Sequence, residues 1–234
     1  MRIHVVSPVV GEDIGHSLDY FSRVASPGTE VTIVGLEEGP SAIESDYDIS
    51  LAAPGIVRRA KEAETSGADA VIINCMADPA LYASREAVRI PVVAPAQTAF
   101  ALAASLTDRF SVLGTTSRDV PFTRDLWRRY GHVERGASVR VLGLTVQGLR
   151  DNADEVLDRM VAASVVAIEE DGVGAIIFGC TLMAEYRGEL AHALVARGHD
   201  GVVVIDPLAM ALQVAEVLVR LGLTHSGVTW PPLA

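Results

Sequence analysis

The chain has 234 residues, half of them hydrophobic, and a formal net charge of -11 at pH 7. This length suits one large domain or two small ones and is enough to bury a sizeable core. The acidic balance argues against nucleic acid and anionic membranes as partners. The longest apolar candidate, residues 201–219, is interrupted by polar residues and proline, and the first residues have no signal-peptide layout. We therefore expect a cytoplasmic protein.

Short β-rich apolar runs alternate along the chain with longer helical patterns, which is typical of a parallel α/β sheet. The predicted strands cover residues 2–7, 30–36, 69–74, 90–94, 109–114, 138–144, 173–178 and 201–205. The predicted helices cover residues 12–25, 52–66, 79–88, 96–106, 118–130, 152–170, 182–197 and 207–221.

Several helix ends carry their own signals. Pro54 suits the first turn of a helix, and Gly67 suits its end. Asp78 before Pro79 reads as an N-cap followed by proline at the first helical position. Asn152 can cap the helix predicted over 152–170.

The two halves of the chain repeat each other. Each offers four strands and four helices, and in each a cysteine ends the third strand. The segment VVAPAQTAFAL also resembles VVVIDPLAMAL, because both read as strand, proline and helix. We predict two pseudo-symmetric α/β lobes, each with a four-stranded, mainly parallel sheet flanked by helices. Residues 1–96 with about 208–234 form the first lobe and residues 97–207 the second.

Cys75 and Cys180 are the only cysteines, and both follow an apolar run. Two cysteines make no disulfide framework, so we expect reduced thiols. A cysteine acts as a base only as thiolate, and its ordinary pKa of about 8.5 falls near a helix N-terminus. Either one alone reads as a buried packing residue. As a pair at matching strand ends, they favour acid/base chemistry. Ligands bind beyond the carboxyl ends of parallel strands, which predicts that the thiols face each other in an active site in the interlobe cleft.

Small polar residues lie at the other strand ends. Hydroxyl and amide groups there suit recognition of a carboxylate, ureido or imide group, although each also suits a turn or helix cap. Met76, directly after Cys75, completes the predicted substrate-binding set. That set is Ser7, Asn74, Met76, Thr115, Thr116 and Thr181.

The sequence offers no metal or cofactor motif. Its six histidines are scattered without metal-ligand spacing, and it has neither a Walker motif nor GxGxxG. We expect no metal and no cofactor, a small-molecule substrate, and a homo-oligomer.

The motifs NC-x-x-DP-x-L (residues 74–81) and GCT (179–181), with GPSAIES, RIPVVAP and VIDP, resemble one family. It is the hydantoin/allantoin racemase branch of the aspartate/glutamate racemase superfamily. The resemblance runs over most of the chain and is densest over residues 39–116. It implies a cofactor-independent isomerase of two similar α/β lobes. It also implies that the two cysteines act as paired acid and base on opposite faces of the substrate.

The sequence departs from this branch at several motifs. The Asn-Pro-Asn-Thr run that usually follows the first strand is Ser7-Pro8-Val9-Val10 here. The glycine-rich C-F-G-D-P-G-L is CMADPAL, and the usual glutamate after the fourth strand corresponds to Gln97. The second motif is GCTLM rather than Gly-Cys-Ala-Gly-Met. Both cysteines remain, so the sequence supports the reaction type better than the substrate.

We therefore predict a two-base racemase acting alpha to a carbonyl, on a 5-substituted hydantoin or an allantoin-like ureide. One alternative is an aspartate/glutamate-type racemase, although no arginine is assigned to a side-chain carboxylate. A lyase or other isomerase of the superfamily is a second, which the intact cysteine pair disfavours. The third is a non-catalytic small-molecule-binding accessory protein, supported by the altered run over residues 7–10.

Overall fold

The computed structural model describes residues 1–11 and 18–231. They divide into two compact units. Unit 1 comprises Met1–Pro95 and Leu208–Ala234, and unit 2 comprises Ala96–Pro207.

Unit 1 is built on a parallel sheet of strand order β2-β1-β3-β4. The strands β1 and β3 pair with Val6 level with Ile73. All four residues of β3 are buried, because helices cover both faces of a parallel sheet. The elements are β1 (Arg2–Val6), α1 (Leu18–Val24), β2 (Glu30–Val34), α2 (Asp46–Thr65), β3 (Ala70–Ile73), α3 (Leu81–Ala87), β4 (Val92–Val93) and, after unit 2, α9 (Pro207–Leu221).

Unit 2 repeats this architecture with strand order β6-β5-β7-β8, again parallel throughout. Leu113 of β5 lies level with Phe178 of β7. The elements are α4 (Pro95–Leu106), β5 (Phe110–Gly114), α5 (Asp119–Tyr130), β6 (Gly136–Val141), α6 (Val146–Asp151), α7 (Ala153–Asp171), β7 (Ala175–Phe178), a 3₁₀ helix (Thr181–Tyr186), α8 (Arg187–Val195) and β8 (Val203–Ile205). The prediction of two four-stranded parallel sheets flanked by helices is confirmed.

Two predicted helix starts in unit 1 are wrong. Helix α2 begins at Asp46, where the Ser45 hydroxyl accepts from the Asp48 amide at 3.2 Å, so Pro54 lies inside the helix. Helix α3 begins at Leu81, so Ala80 takes the N-cap position predicted for Asp78, and the backbone of Asp78 is left-handed at φ 46°. Of the helix predicted over 12–25, residues 12–17 lie outside the described residues.

The helix predicted over 152–170 forms as α7, with the short helix α6 added before it, whereas the helix predicted over 182–197 forms as two pieces. Thr145 caps α6 by accepting from the Gly148 amide at 2.9 Å. Asn152 separates α6 from α7 and donates its side-chain amide to the Gly148 carbonyl at 2.9 Å, so it satisfies the end of α6 instead of capping α7. The 3₁₀ helix precedes α8. Among the described helices, none combines the length and apolarity that crossing a membrane requires.

Helix α9 is fixed to the rest of unit 1 by a buried carboxylate. Glu216 is fully buried and accepts from the Ser26 amide at 2.8 Å and from the Ser26 hydroxyl. Gln213 on the same helix donates to the Val24 carbonyl at 2.7 Å. Burial by itself would raise the pKa of Glu216, but the hydrogen bonds from Ser26 and the charge of Arg220 outweigh it and lower the pKa below the ordinary 4.5.

We expect Glu216→Gln to lower the free energy of unfolding at pH 7 by about 1–3 kcal/mol, because charge-assisted hydrogen bonds are lost. The contribution of a carboxylate with a lowered pKa is fully present above pH 4.5. It disappears as the pH falls through the lowered pKa of the folded state. Urea unfolding from pH 7 to pH 3 should therefore be less acid-sensitive in Glu216→Gln than in the parent. The exposed Glu134→Gln is the matched control. Equal acid sensitivity in all three proteins would contradict this role.

Candidate active site

Three of the predicted site residues of unit 1 come together at the carboxyl end of its sheet. The Asn74 amide donates to the Val6 carbonyl at 2.8 Å and so extends the pairing of β1 and β3 by one residue. The Asn74 side chain then donates to the Ser7 hydroxyl at 3.3 Å. Both side chains are buried, and the half-buried thiol of Cys75 follows directly.

Cys75 lies in a tight turn rather than at a helix start. The Ala77 amide donates to its Sγ at 3.4 Å, and the Asp78 amide donates to its carbonyl at 3.0 Å. Asp78 and Ala80 are left-handed, at φ 46° and 54°, which costs roughly 1–3 kcal/mol for each non-glycine residue. An N–H pointing at sulfur stabilises negative charge there. The Ala77 amide therefore stabilises a thiolate at Cys75, where the sequence pattern predicts that a helix N-terminus would do so.

The equivalent region of unit 2, at the carboxyl end of its sheet, contains Cys180. The Gly179 amide donates to the Leu113 carbonyl at 2.8 Å, which continues the pairing of β5 with β7. The half-buried Cys180 follows and is the N-cap residue of the 3₁₀ helix that begins at Thr181. Leu113 is level with Phe178, and Thr115 and Cys180 each lie two residues beyond that level. Thr115 and Thr181 are both buried.

Asp119 is a residue that sequence reasoning missed. Its Oδ2 accepts from the Thr115 hydroxyl at 2.8 Å, from the Thr116 amide at 3.3 Å and from the Thr115 amide. The signal in the sequence is a carboxylate four residues after a hydroxyl, at the start of α5. This carboxylate fixes the loop after β5 and accepts the single hydrogen bond that the Thr115 hydroxyl can donate.

The residues before the two cysteines are not alike. Unit 1 has the polar pair Ser7 and Asn74, whereas unit 2 has Gly114 and Gly179 at the same levels of its strands. A Cβ on Gly179 would lie 2.5 Å from the Leu113 carbonyl oxygen. Before Cys180, the backbone at Gly179 therefore lies directly against that of Leu113 and Gly114. Before Cys75, the side chains of Ser7 and Asn74 occupy the equivalent position.

The remaining predicted site residue, Met76, is buried in unit 1. The structure thus groups Ser7, Asn74, Met76 and Cys75 in one unit, and Thr115, Thr116, Cys180 and Thr181 in the other. Across residues 1–11 and 18–231, no three side chains of His, Cys, Asp or Glu are grouped in a way that could hold a metal ion.

Comparison with known proteins gives consistent matches over most of the chain. Residues 3–215 match the Asp/Glu/hydantoin racemase family. A hydantoin racemase from Pseudomonas sp. (strain NS671) is 32% identical over 223 residues, covering 95% of this chain and 87% of that protein. One from Rhizobium meliloti is 31% identical over 229 residues, covering 97% and 92%. The solved structure of an allantoin racemase from Klebsiella pneumoniae has a TM-score of 0.91 at 32% identity, covering 100% of this chain and 94% of that one.

Two repeated parallel α/β units, each with a cysteine just after its third strand, and these relatives place the chain among the racemases, which are isomerases. It belongs to the Asp/Glu/hydantoin racemase family.

Proposed function

We propose that this chain is a cofactor-independent racemase in which Cys75 and Cys180 act on opposite faces of one carbon alpha to a carbonyl. The observation that carries the proposal is the equivalent position of the two thiols, each two residues beyond the third strand of its unit. Racemisation needs a base on one face of the carbon and an acid on the other, and two thiols supply both.

The reaction balances without any further reactant. One cysteine starts as thiolate and takes the alpha proton, so the C–H bond breaks and an S–H bond forms. The pair of electrons left on carbon delocalises into the carbonyl as an enolate. The second cysteine then gives its proton to the opposite face and becomes the thiolate. Backbone N–H groups near the two cysteines are the donors that we propose for the enolate oxygen.

The substrate that we propose is a 5-substituted hydantoin or a related cyclic ureide such as allantoin. A hydantoin is an easier substrate than an amino acid, because no carboxylate charge opposes carbanion formation. Thr115 supports the same class. Its hydroxyl proton is donated to Asp119, so toward a ligand it can only accept. A ring N–H satisfies that oxygen, whereas a carboxylate does not.

The experiment is a panel of enantiopure 5-substituted hydantoins, allantoin, aspartate and glutamate, each incubated in D₂O with and without the enzyme. We expect the ureides to lose optical rotation and gain deuterium above the enzyme-free rate. Within the panel, Thr115→Val should lower kcat/KM for the ureides roughly tenfold, mainly through KM, because a ring N–H loses its acceptor. Thr123→Val, another buried threonine of unit 2, is the control.

Other outcomes of the panel identify the alternatives. Racemisation of aspartate or glutamate alone would replace the ureide assignment with an amino-acid racemase. Binding of a ureide with no deuterium incorporation would indicate the non-catalytic binding protein. Both results would contradict the proposed function.

A further inference from the structure

The segment after α9 packs on the short helix α3, and we name residues 224–230 the C-terminal clamp. The indole of Trp230 lies under the guanidinium of Arg85, whose Cζ is 4.9 Å from the ring centroid. The ring of Tyr82 is 5.5 Å from the same indole, centroid to centroid. The clamp thus holds two side chains of α3, one through a cation–π contact and one through an aromatic contact.

The clamp also holds the residues at the end of α3. The hydroxyl of Thr224 donates to the Arg89 carbonyl at 2.9 Å. His225 Nε2 lies 3.3 Å from the Val88 carbonyl, within reach of a second hydrogen bond. Arg85 in turn donates Nε to the Val92 carbonyl of β4 at 3.1 Å. Helix α3 is therefore fixed to both β4 and the clamp.

Helix α3 needs this support for two reasons. It has seven residues, and so short a helix is not stable on its own. It also begins one residue after Ala80, at the end of the left-handed turn that follows Cys75. Backbone held in sparsely populated conformations persists only where its surroundings fix it. Contacts that hold α3 therefore also hold the turn in which the Ala77 amide reaches Cys75 Sγ.

We propose that Trp230 is a positioning residue for Cys75, acting through Arg85, Tyr82 and helix α3. When the indole is removed, α3 loosens, Asp78 and Ala80 relax from their left-handed conformations, and the sulfur loses its amide donor. The role in catalysis rests on the proposed function, whereas the effect on the Cys75 thiol does not.

The test compares the alkylation rates of the two thiols in Trp230→Ala, measured by mass spectrometry under limiting iodoacetamide. Cys180 belongs to unit 2 and is an internal control in the same molecule. We expect the Cys75 rate to change about three- to thirtyfold, the equilibrium equivalent of the range from an exposed to a desolvated cation–π contact, with the Cys180 rate unchanged. Trp230→Phe keeps a ring beside Arg85 and should give a Cys75 rate between those of the parent and Trp230→Ala.

Two labelling results overturn the proposal. One is no change at Cys75, and the other is an equal change at both thiols, which would mean general loosening. If Trp230→Ala does not fold, the ratio of Cys75 to Cys180 labelling in Trp230→Phe decides in the same way, and an unshifted ratio overturns it.

Kinetics separate this proposal from the proposed function. If the parent racemises a ureide, Trp230→Ala should lower kcat with KM little changed, and an unchanged kcat overturns the positioning role. If the parent racemises nothing, the proposed function fails, and the labelling ratio alone decides the inference.

Discussion

Cys75→Ser and Cys180→Ser should each abolish racemisation, with a loss of at least about 10²- to 10⁴-fold, the usual contribution of one acid/base group. Inversion needs both faces of the carbon, and a serine hydroxyl cannot supply a thiolate at neutral pH. Under the proposed mechanism, each variant nevertheless keeps one thiol directed at one face. It should still exchange the alpha proton of one enantiomer with solvent deuterium, with retention of configuration. The two variants should prefer opposite enantiomers.

The measurement is deuterium incorporation into each pure enantiomer, followed by NMR together with optical rotation. The double variant, Cys75→Ser with Cys180→Ser, should exchange neither enantiomer above the enzyme-free rate, and it is the control for any other base. A single variant that racemises at the parent rate would contradict the opposed-cysteine assignment. So would two single variants that exchange the same enantiomer.

Gly179→Ala should cost about 1–3 kcal/mol of stability, the usual range for overpacking, and should reduce kcat about 10²-fold in the protein that still folds. The new Cβ would lie 2.5 Å from the Leu113 carbonyl oxygen and 3.1 Å from Gly114 Cα. Both are backbone atoms that cannot turn aside, so the chain at Cys180 must move instead. A displacement of about 1 Å at a reacting group can cost that factor in rate.

The matched control for this change is Gly188→Ala, further along the same unit. Among the described residues, and apart from its neighbours and the backbone of its own helix α8, no heavy atom lies within 4 Å of an added Cβ at Gly188. It should therefore retain the parent's kcat, and its unfolding midpoint should be equal to or higher than the parent's, because alanine favours a helix more than glycine does. Urea unfolding reports the stability of the three proteins, and kcat is measured on a ureide substrate. Parent-like kcat in folded Gly179→Ala would refute the close-contact argument at Cys180.

The sheets could be predicted because their signal is local. Buried strands such as Ala70–Ile73 and Ala175–Phe178 are continuous apolar runs, and the repeat follows from comparing one half with the other. The start of α2 could not be predicted in the same way. Pro54 marks a first helical turn in general, but Ala53 before it has no side-chain oxygen that could cap a helix. Ser45 supplies the cap instead, and the helix runs on through the proline.

The Asp78-Pro79 pair misleads for a different reason. Its local preference for a helix start is overridden by the turn that contains Cys75, where Asp78 is left-handed and buried. Such a conformation depends on contacts between residues that are distant in sequence. Asp119 also escapes prediction, because its part in the loop after β5 is visible only once its hydrogen bonds to Thr115 and Thr116 are known.

The return of α9 to unit 1 has a consequence for how the chain is made. Unit 2 is one contiguous stretch, so a ribosome that has added Pro207 has already supplied all of it. Unit 1 at that moment still lacks Glu216, the buried partner of Ser26. Domains tend to fold as units during synthesis. The unit that is translated first is therefore completed last, because Ser26 gains its buried partner only after α9 has been synthesised.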